Sequence, residues 1–216
     1  MREVMKQYYA QRAENYEDVY DDEEREDDLD ELAEQVEIAL TNHDVLELAC
    51  GTGFWTEQYA VSAKSVYATD INMCMLEIAG AKDYPDDVVE FALADAFALT
   101  PIADRKFTAC FAGFLWSHVK REEYAKVLAS IRAATGAGAH LVLIDNNMME
   151  EGNVPTARTD SEGNTYQLRE QNGAPRVEIL KNYPTDSYMK KQFAKVARDI
   201  RISRNEYYWM LTCTLK

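Results

Sequence analysis

Five short apolar runs, each closed by a polar residue or a glycine, constrain the fold of this chain more than any other feature. "DVLELA" stops at Gly51 and Gly53, "SVYATD" at Asp70, "VVEFALAD" at Asp95, "KFTACFAG" at Gly113 and "AHLVLIDNN" near Asn147. Helical stretches at about 54–62, 72–82 and 121–135 separate most of them, and strands alternating with helices build a parallel sheet covered on both faces. Ahead of the first run, 3–18 and 27–41 are expected as helices. Tyr9, Arg12, Tyr16 and Tyr20 recur there at spacings of three, four and four, hence along one face.

The rhythm breaks after Asn147. A polar segment leads into "TYQLREQNGAPRVEIL", whose central Asn172-Gly173 predicts a hairpin with one extra residue around Ala174 and Pro175. A helix over 186–198 follows, and "IRIS" and "YYWMLTCTL" close the chain as two strands. The expected fold is α/β: a Rossmann-like doubly wound sheet of seven strands, mostly parallel with an antiparallel closing strand, and helices on both faces. One domain is expected over 1–216, with 1–42 as a helical cap and 148–184 as an inserted cover over the active end of the sheet.

Composition narrows the class. The 216 residues are 47% apolar, enough for the core of one domain. "MREVMKQYYA" contains no apolar leader and no later run reaches the 18 or so apolar residues of a membrane span, so a soluble, cytoplasmic protein is expected. Four cysteines and three histidines are dispersed, which signals no zinc site, disulfide framework or iron–sulfur cluster. The net charge of -15 is concentrated: eleven acids stand against Arg25 alone between Glu17 and Glu31. A solvated loop and helix start is the expected reading of that stretch. Nucleic acid is excluded as a partner, because phosphate neutralisation needs clustered Lys and Arg.

In an open parallel sheet, ligands bind beyond the carboxyl ends of the strands. The informative residues are therefore Glu47 with Ala49, Gly51 and Gly53, then Asp70, Asp95, and Ala112 with Gly113. One acid at a strand end is ordinary as a helix cap or a solvated turn. Acids associated with three successive strand ends exceed what packing requires.

On "ELACGTG", "YATD" and "ADA" the chain resembles the class I S-adenosylmethionine-dependent methyltransferases, and the likeness runs from about Tyr8 to Leu215. The resemblance implies S-adenosylmethionine as cofactor, S-adenosylhomocysteine as product and no metal. It implies that Glu47 favours the donor's amino acid end, directly or through water. Asp70 would accept from the ribose hydroxyls and Asp95 from the adenine amine, with Ala96 N–H at a ring nitrogen and Ile71 or Phe97 over a ring face. Tyr9 and Arg12 are candidates for the methionine carboxylate, the alternative being a helix packed by its aromatic stripe. Ala49 replaces the family's usual first glycine, which a turn tolerates if φ stays below zero.

Two other readings remain. A dinucleotide-binding oxidoreductase would use Gly51, Gly53 and Asp70, but Thr56 stands where its third glycine belongs. A non-catalytic adenosine-ligand binding protein would keep the fold alone. For catalysis, His118 in "FLWSHV" is the candidate base for a hydroxyl acceptor, with an unperturbed pKa near 6.5, the alternative being a structural histidine. Trp116 and Phe114 are candidate acceptor walls, and Tyr16 and Tyr20 candidate substrate contacts. The chain is also similar to small-molecule O-methyltransferases of a phosphonate type. That implies an anionic small-molecule acceptor held by Arg169 and Lys181, whose plainer reading is two solvent-facing charges.

Overall fold

The computed structural model describes residues 2–99, 105–149, 154–171 and 174–216. The five apolar runs form parallel strands β1 (Asp44–Leu48), β2 (Ser65–Asp70), β3 (Val89–Leu93), β4 (Ala109–Gly113) and β5 (His140–Asn146). Two further strands, β9 (Ala197–Arg204) and β10 (Tyr208–Leu215), complete a seven-stranded sheet in the order β3-β2-β1-β4-β5-β10-β9. Strand β10 runs antiparallel to both β5 and β9. The order reverses between β1 and β4, which opens a crevice at the carboxyl ends of those strands.

Alternation along the strands divides the core. Leu46 and Leu48 of β1 join the cluster of helices α5 (Tyr124–Thr135) and α6 (Asp186–Phe193), which contributes Leu128, Ile131 and Phe193. Val45 faces the other side, with Val36 and Leu40 of α2 (Glu26–Leu40) and Tyr59 of α3 (Phe54–Ala60). Helix α2 forms because Leu29, Leu32, Val36 and Leu40 recur on one buried face, while Glu26, Asp27 and Asp28 suit the positive end of its dipole. Leu40 is fully buried, so truncation to Ala costs about 2–5 kcal/mol. Helix α4 (Met73–Ala79) links β2 to β3.

The cover differs from expectation in three places. Helix α1 (Arg2–Ala10) ends well before residue 18, and two 3-10 turns, Ala13–Asn15 and Glu17–Val19, follow it. A straight helix would carry Tyr20 about 16 Å beyond Tyr9; the turns wrap the chain so that both reach one cavity. Helix α6 stops at Phe193 instead of continuing to 198, because β9 begins at the buried Ala197. The cover is a three-stranded sheet, since the polar β6 (Thr156–Thr159) adds an edge to the expected pair β7 (Thr165–Gln171) and β8 (Ala174–Leu180). The β7/β8 register slips by one residue between Arg169 and Gln171, which places the extra residue in β8 between Ala174 and Val177. Asn172-Gly173 lies outside the described residues. Met5 and Tyr8 of α1 pack on Tyr166, Ile179 and Leu180, joining the N-terminal segment to the small sheet as one roof.

Candidate active site

Between sheet and roof lies a cavity of about 350 Å³. Its floor is made by the strand ends. Gly51, in a left-handed conformation with φ 58°, donates its N–H to Asp70 Oδ2 at 3.0 Å, and Asn72 N–H reaches Asp70 Oδ1 at 2.8 Å. Burial raises the Asp70 pKa and these backbone donors oppose it, leaving a fixed carboxylate on the wall with lone pairs to spare. Asp95 lies two residues beyond β3 in a turn, where its Oδ1 accepts Phe97 N–H at 2.8 Å. Ala49, Ile71, Ala96 and Phe97 line the same half of the cavity, and Arg12 reaches it from the roof.

Glu47 does not line it. The side chain is 1% exposed, and its Oε2 accepts from the hydroxyls of Thr56 and Tyr59 at 2.7 Å each. Burial pushes its carboxyl up to about 7. Glu47 thus fixes the start of α3 beneath the glycine turn, off the cavity wall. Gly53 is also behind the wall: with φ 82° it begins α3, and a Cβ there would lie 2.4 Å from the Tyr84 hydroxyl and 3.1 Å from Ala79 Cβ. Helix packing, not ligand approach, requires that glycine. Ala49 departs differently, because its φ is +54° where a negative value was expected. The turn takes the left-handed conformation that a glycine would adopt without strain.

Strand alternation removes Ala112 from the cavity. Its side chain is buried with Leu143 in the core, and Gly113 presents backbone instead. Trp116 is likewise core, 4.6 Å from Tyr124 and 5.2 Å from Phe193 between ring centres. Phe114 is a wall residue, as are Tyr16 and Tyr20. The Tyr20 ring stacks on Phe54 at 3.8 Å and its hydroxyl accepts Trp55 Nε1–H at 3.2 Å.

The other half of the cavity brings together Tyr9, His118, Arg169 and Lys181. The His118 Nε2 is 2.8 Å from the Tyr9 hydroxyl and its Nδ1 is 2.5 Å from the Leu180 carbonyl oxygen. Burial, with the Lys181 and Arg169 charges, pushes this imidazole down to about 4 despite the pull of Asp145. Tyr9 is raised by burial, so both are neutral at ordinary pH. Tyr9 is therefore held to the base candidate, in addition to facing the cavity.

Lys181 is 5% exposed, not solvent-facing. Its ammonium donates to Asp145 Oδ1, Asn146 Oδ1 and Ser117 Oγ, each at 2.9 Å. Those three bonds use its full donor set, so it contributes field and not a free hydrogen bond. Burial would raise the Asp145 carboxyl, but Lys181, His118 and the Ser117 N–H hold it below the usual range. Arg169 is half-buried on the wall, and its Nη2 donates to Gln167 Oε1 at 2.6 Å. Sequence reasoning missed Asp145, although it ends an apolar run as Asp70 does.

Comparison with known proteins agrees with this geometry. Residues 45–138 match the family model described as "Methyltransferase domain". Over these residues, a little under half of the chain, the sequence is similar to methyltransferase domains, and the sheet around them has the fold of class I methyltransferases. The match to the demethylmenaquinone methyltransferase of Renibacterium salmoninarum is 36% identical over 107 residues, covering 50% of this chain and 43% of that one. For the enzyme of the same name from Paenarthrobacter aurescens it is 36% over 101 residues, 47% and 38% of the two chains. The matched stretch thus spans less than half of these curated relatives. Among solved structures, the DhpI–SAH complex superposes with a TM-score of 0.80 at 24% identity over 99% of this chain and 96% of that one, a likeness of fold.

Methyltransferases of this class take S-adenosylmethionine, and the methyltransferase cavity fits such a donor. Its floor offers carboxylates, Asp70 and Asp95, to hydroxyl and amine donors, and its roof offers the Arg12 guanidinium to a carboxylate. A dinucleotide pyrophosphate fits poorly, because the Gly51 N–H that would meet it is already given to Asp70. Among the described residues no group of three or more His, Cys, Asp or Glu is placed to hold a metal. No helix there is long and apolar enough to cross a membrane.

Proposed function

We propose that this protein transfers a methyl group from S-adenosylmethionine to an oxygen of a small anionic metabolite. The observation that carries the reading is one continuous cavity joining the strand-end carboxylates Asp70 and Asp95 to a half that holds Arg169 and a neutral His118. Bound S-adenosylmethionine supplies an electrophilic methyl on a sulfonium cation. Asp70 accepts from the ribose hydroxyls and Asp95 from the adenine amine, while Ile71 and Phe97 cover the ring. Ala49 and Gly51 let backbone approach the amino acid end, and Arg12 pairs with its carboxylate.

Arg169 binds the acceptor's anionic group. For a hydroxyl acceptor, Tyr9 and His118 take up the proton: the acceptor O–H passes its proton to the Tyr9 oxygen as the Tyr9 proton moves to Nε2 of His118. Most of the acceleration comes from alignment and from the roof excluding water. DhpI, the relative in fold, has also been solved with SAM and HEP, at 24% identity and a TM-score of 0.79, which agrees with a small acceptor. Four free cysteines suit a reducing compartment such as the cytoplasm.

The test is calorimetry followed by a thermal-shift screen. S-adenosylhomocysteine should bind at micromolar affinity or better and NAD should not; NAD binding without a response to S-adenosylhomocysteine sinks the reading. Hydroxylated and carboxylated metabolites are then screened with S-adenosylhomocysteine present, since a true acceptor stabilises by mass action.

A further inference from the structure

The acceptor half of the cavity contains two cations, but they are not equivalent. Lys181 is paired with Asp145, which is 0% exposed and 2.9 Å away, and both are saturated within the protein. Asp145 Oδ2 accepts Ser117 N–H at 2.8 Å, Oδ1 accepts Asn146 N–H at 2.9 Å, and the three ammonium donors are in use. Among the described residues Arg169 has a neutral partner only. Gln167 Oε1 accepts one of its five N–H groups, and Gln167 Nε2 is itself bound to the Val154 carbonyl and the Tyr183 hydroxyl. None of the ion pairs among the described residues includes Arg169.

The remaining polar groups of this half, His118, Tyr9 and Tyr183, are uncharged, and both ring nitrogens of His118 are engaged. Of the other cationic wall residues, Arg2 pairs with Glu123 and Arg25 with Asp22, and Arg12 is assigned to the cofactor. Lys6 of α1 also lines the cavity. We infer, resting on the methyltransferase reading, that this subsite is built for an acceptor group with one negative charge, such as a carboxylate or singly ionised phosphorus ester, because among the described residues Arg169 is the cation beside Tyr9 and His118 that has no carboxylate partner. A dianion would bring a second charge that meets no counter-charge in a desolvated site. Asp145 is then a specificity-determining residue acting through Lys181.

Two tetrahedral probes of nearly equal size test this: methanesulfonate, a monoanion, and methylphosphonate at alkaline pH, a dianion. Both are titrated by calorimetry into protein saturated with S-adenosylhomocysteine. Wild type should bind methanesulfonate at least as tightly as methylphosphonate. Arg169→Gln should lose both, and Asp145→Asn, which leaves Lys181 uncompensated, should shift the preference toward methylphosphonate by about tenfold. Lys6→Met should keep the wild-type preference. A wild type that favours methylphosphonate by about tenfold, or binds neither probe, overturns the inference while the S-adenosylhomocysteine titration leaves the methyltransferase reading standing. The wild-type comparison decides the matter even if Asp145→Asn does not fold. Failure of S-adenosylhomocysteine itself to bind removes both readings.

Discussion

The Tyr9 hydroxyl stands 2.8 Å from His118 Nε2, while Nδ1 of the same ring stands 2.5 Å from the Leu180 carbonyl oxygen. A carbonyl only accepts, so Nδ1 holds the proton and Nε2 accepts from Tyr9. The pair is thereby set in one tautomer, with the basic lone pair one phenol away from any acceptor.

This fixes a pH dependence. Burial and the nearby cations push His118 down to about 4, so its basic form persists on both sides of neutrality and is lost only as pH falls through that value. Turnover should show no inflection near the unperturbed value of about 6.5. His118→Ala should lower kcat by roughly 10²- to 10⁴-fold for a hydroxyl acceptor. Tyr9→Phe should lower it by a comparable factor, with KM little changed, because the proton reaches His118 only through the phenol. A pH–rate profile on all three proteins decides; an inflection near 6.5 that vanishes with His118 would mean the ring is far more exposed to solvent than the geometry shows.

Asp70 holds the glycine turn and faces the cavity together. Asp70→Ala should weaken S-adenosylhomocysteine binding by about 1–3 kcal/mol, the range for lost hydrogen bonds to a charged acceptor. Calorimetry that returned unchanged affinity would reduce Asp70 to a turn residue.

Glu47 makes the opposite prediction for binding. Its folded-state pKa of about 7 lies above the ordinary 4.5, so its contribution to stability is complete below 4.5 and is lost as pH rises through about 7. In Glu47→Gln the amide oxygen still accepts from Thr56 and Tyr59, and no charge is buried. The variant should be more stable than wild type above neutrality, by on the order of 2–3 kcal/mol, with the advantage gone in mild acid. Affinity for S-adenosylhomocysteine should stay within about threefold. Denaturation at several pH values, paired with calorimetry, tests both statements, and a tenfold loss of affinity would put Glu47 in contact with the ligand.

The strands were legible because an apolar run closed by Gly or Asp carries its own register, as at Asp70, where the expected and observed ends coincide. The roof was less so. Thr156–Thr159 has no apolar alternation to announce an edge strand, and Ala10 ends α1 without a glycine or proline. Within the site, a sequence shows which residues approach a strand end but not which way they face. Glu47 turns under the sheet and Ala112 into the core, while their neighbours Ala49 and Gly113 line the cavity. The state of Lys181 was hidden for another reason: its partner Asp145 is 36 positions away, on a different element.

The acidic stretch, expected as a solvated face, is divided by the structure into two kinds of residue. Asp21, Glu23 and Glu24 are exposed. Glu17 is not idle: its Oε1 accepts the Thr52 hydroxyl at 2.6 Å and pairs with Lys82 at 2.8 Å, and Lys82 in turn pairs with Glu57. Thr52 lies between Gly51 and Gly53, so Glu17 ties the second 3-10 turn of the roof to the glycine turn of the floor. Glu17→Gln should weaken that tie and lower S-adenosylhomocysteine affinity by about 1 kcal/mol, the net worth of one hydrogen bond to a charged group at a partly exposed site. Replacing Asp21, Glu23 and Glu24 together by Asn and Gln should leave affinity within a few tenths of a kcal/mol of wild type, since exposed charges are screened at physiological salt. Calorimetry on the two proteins, repeated at raised salt, separates a local tie from a general field. If the triple variant loses more affinity than Glu17→Gln, the cofactor responds to the summed acidity of the stretch and not to this single contact.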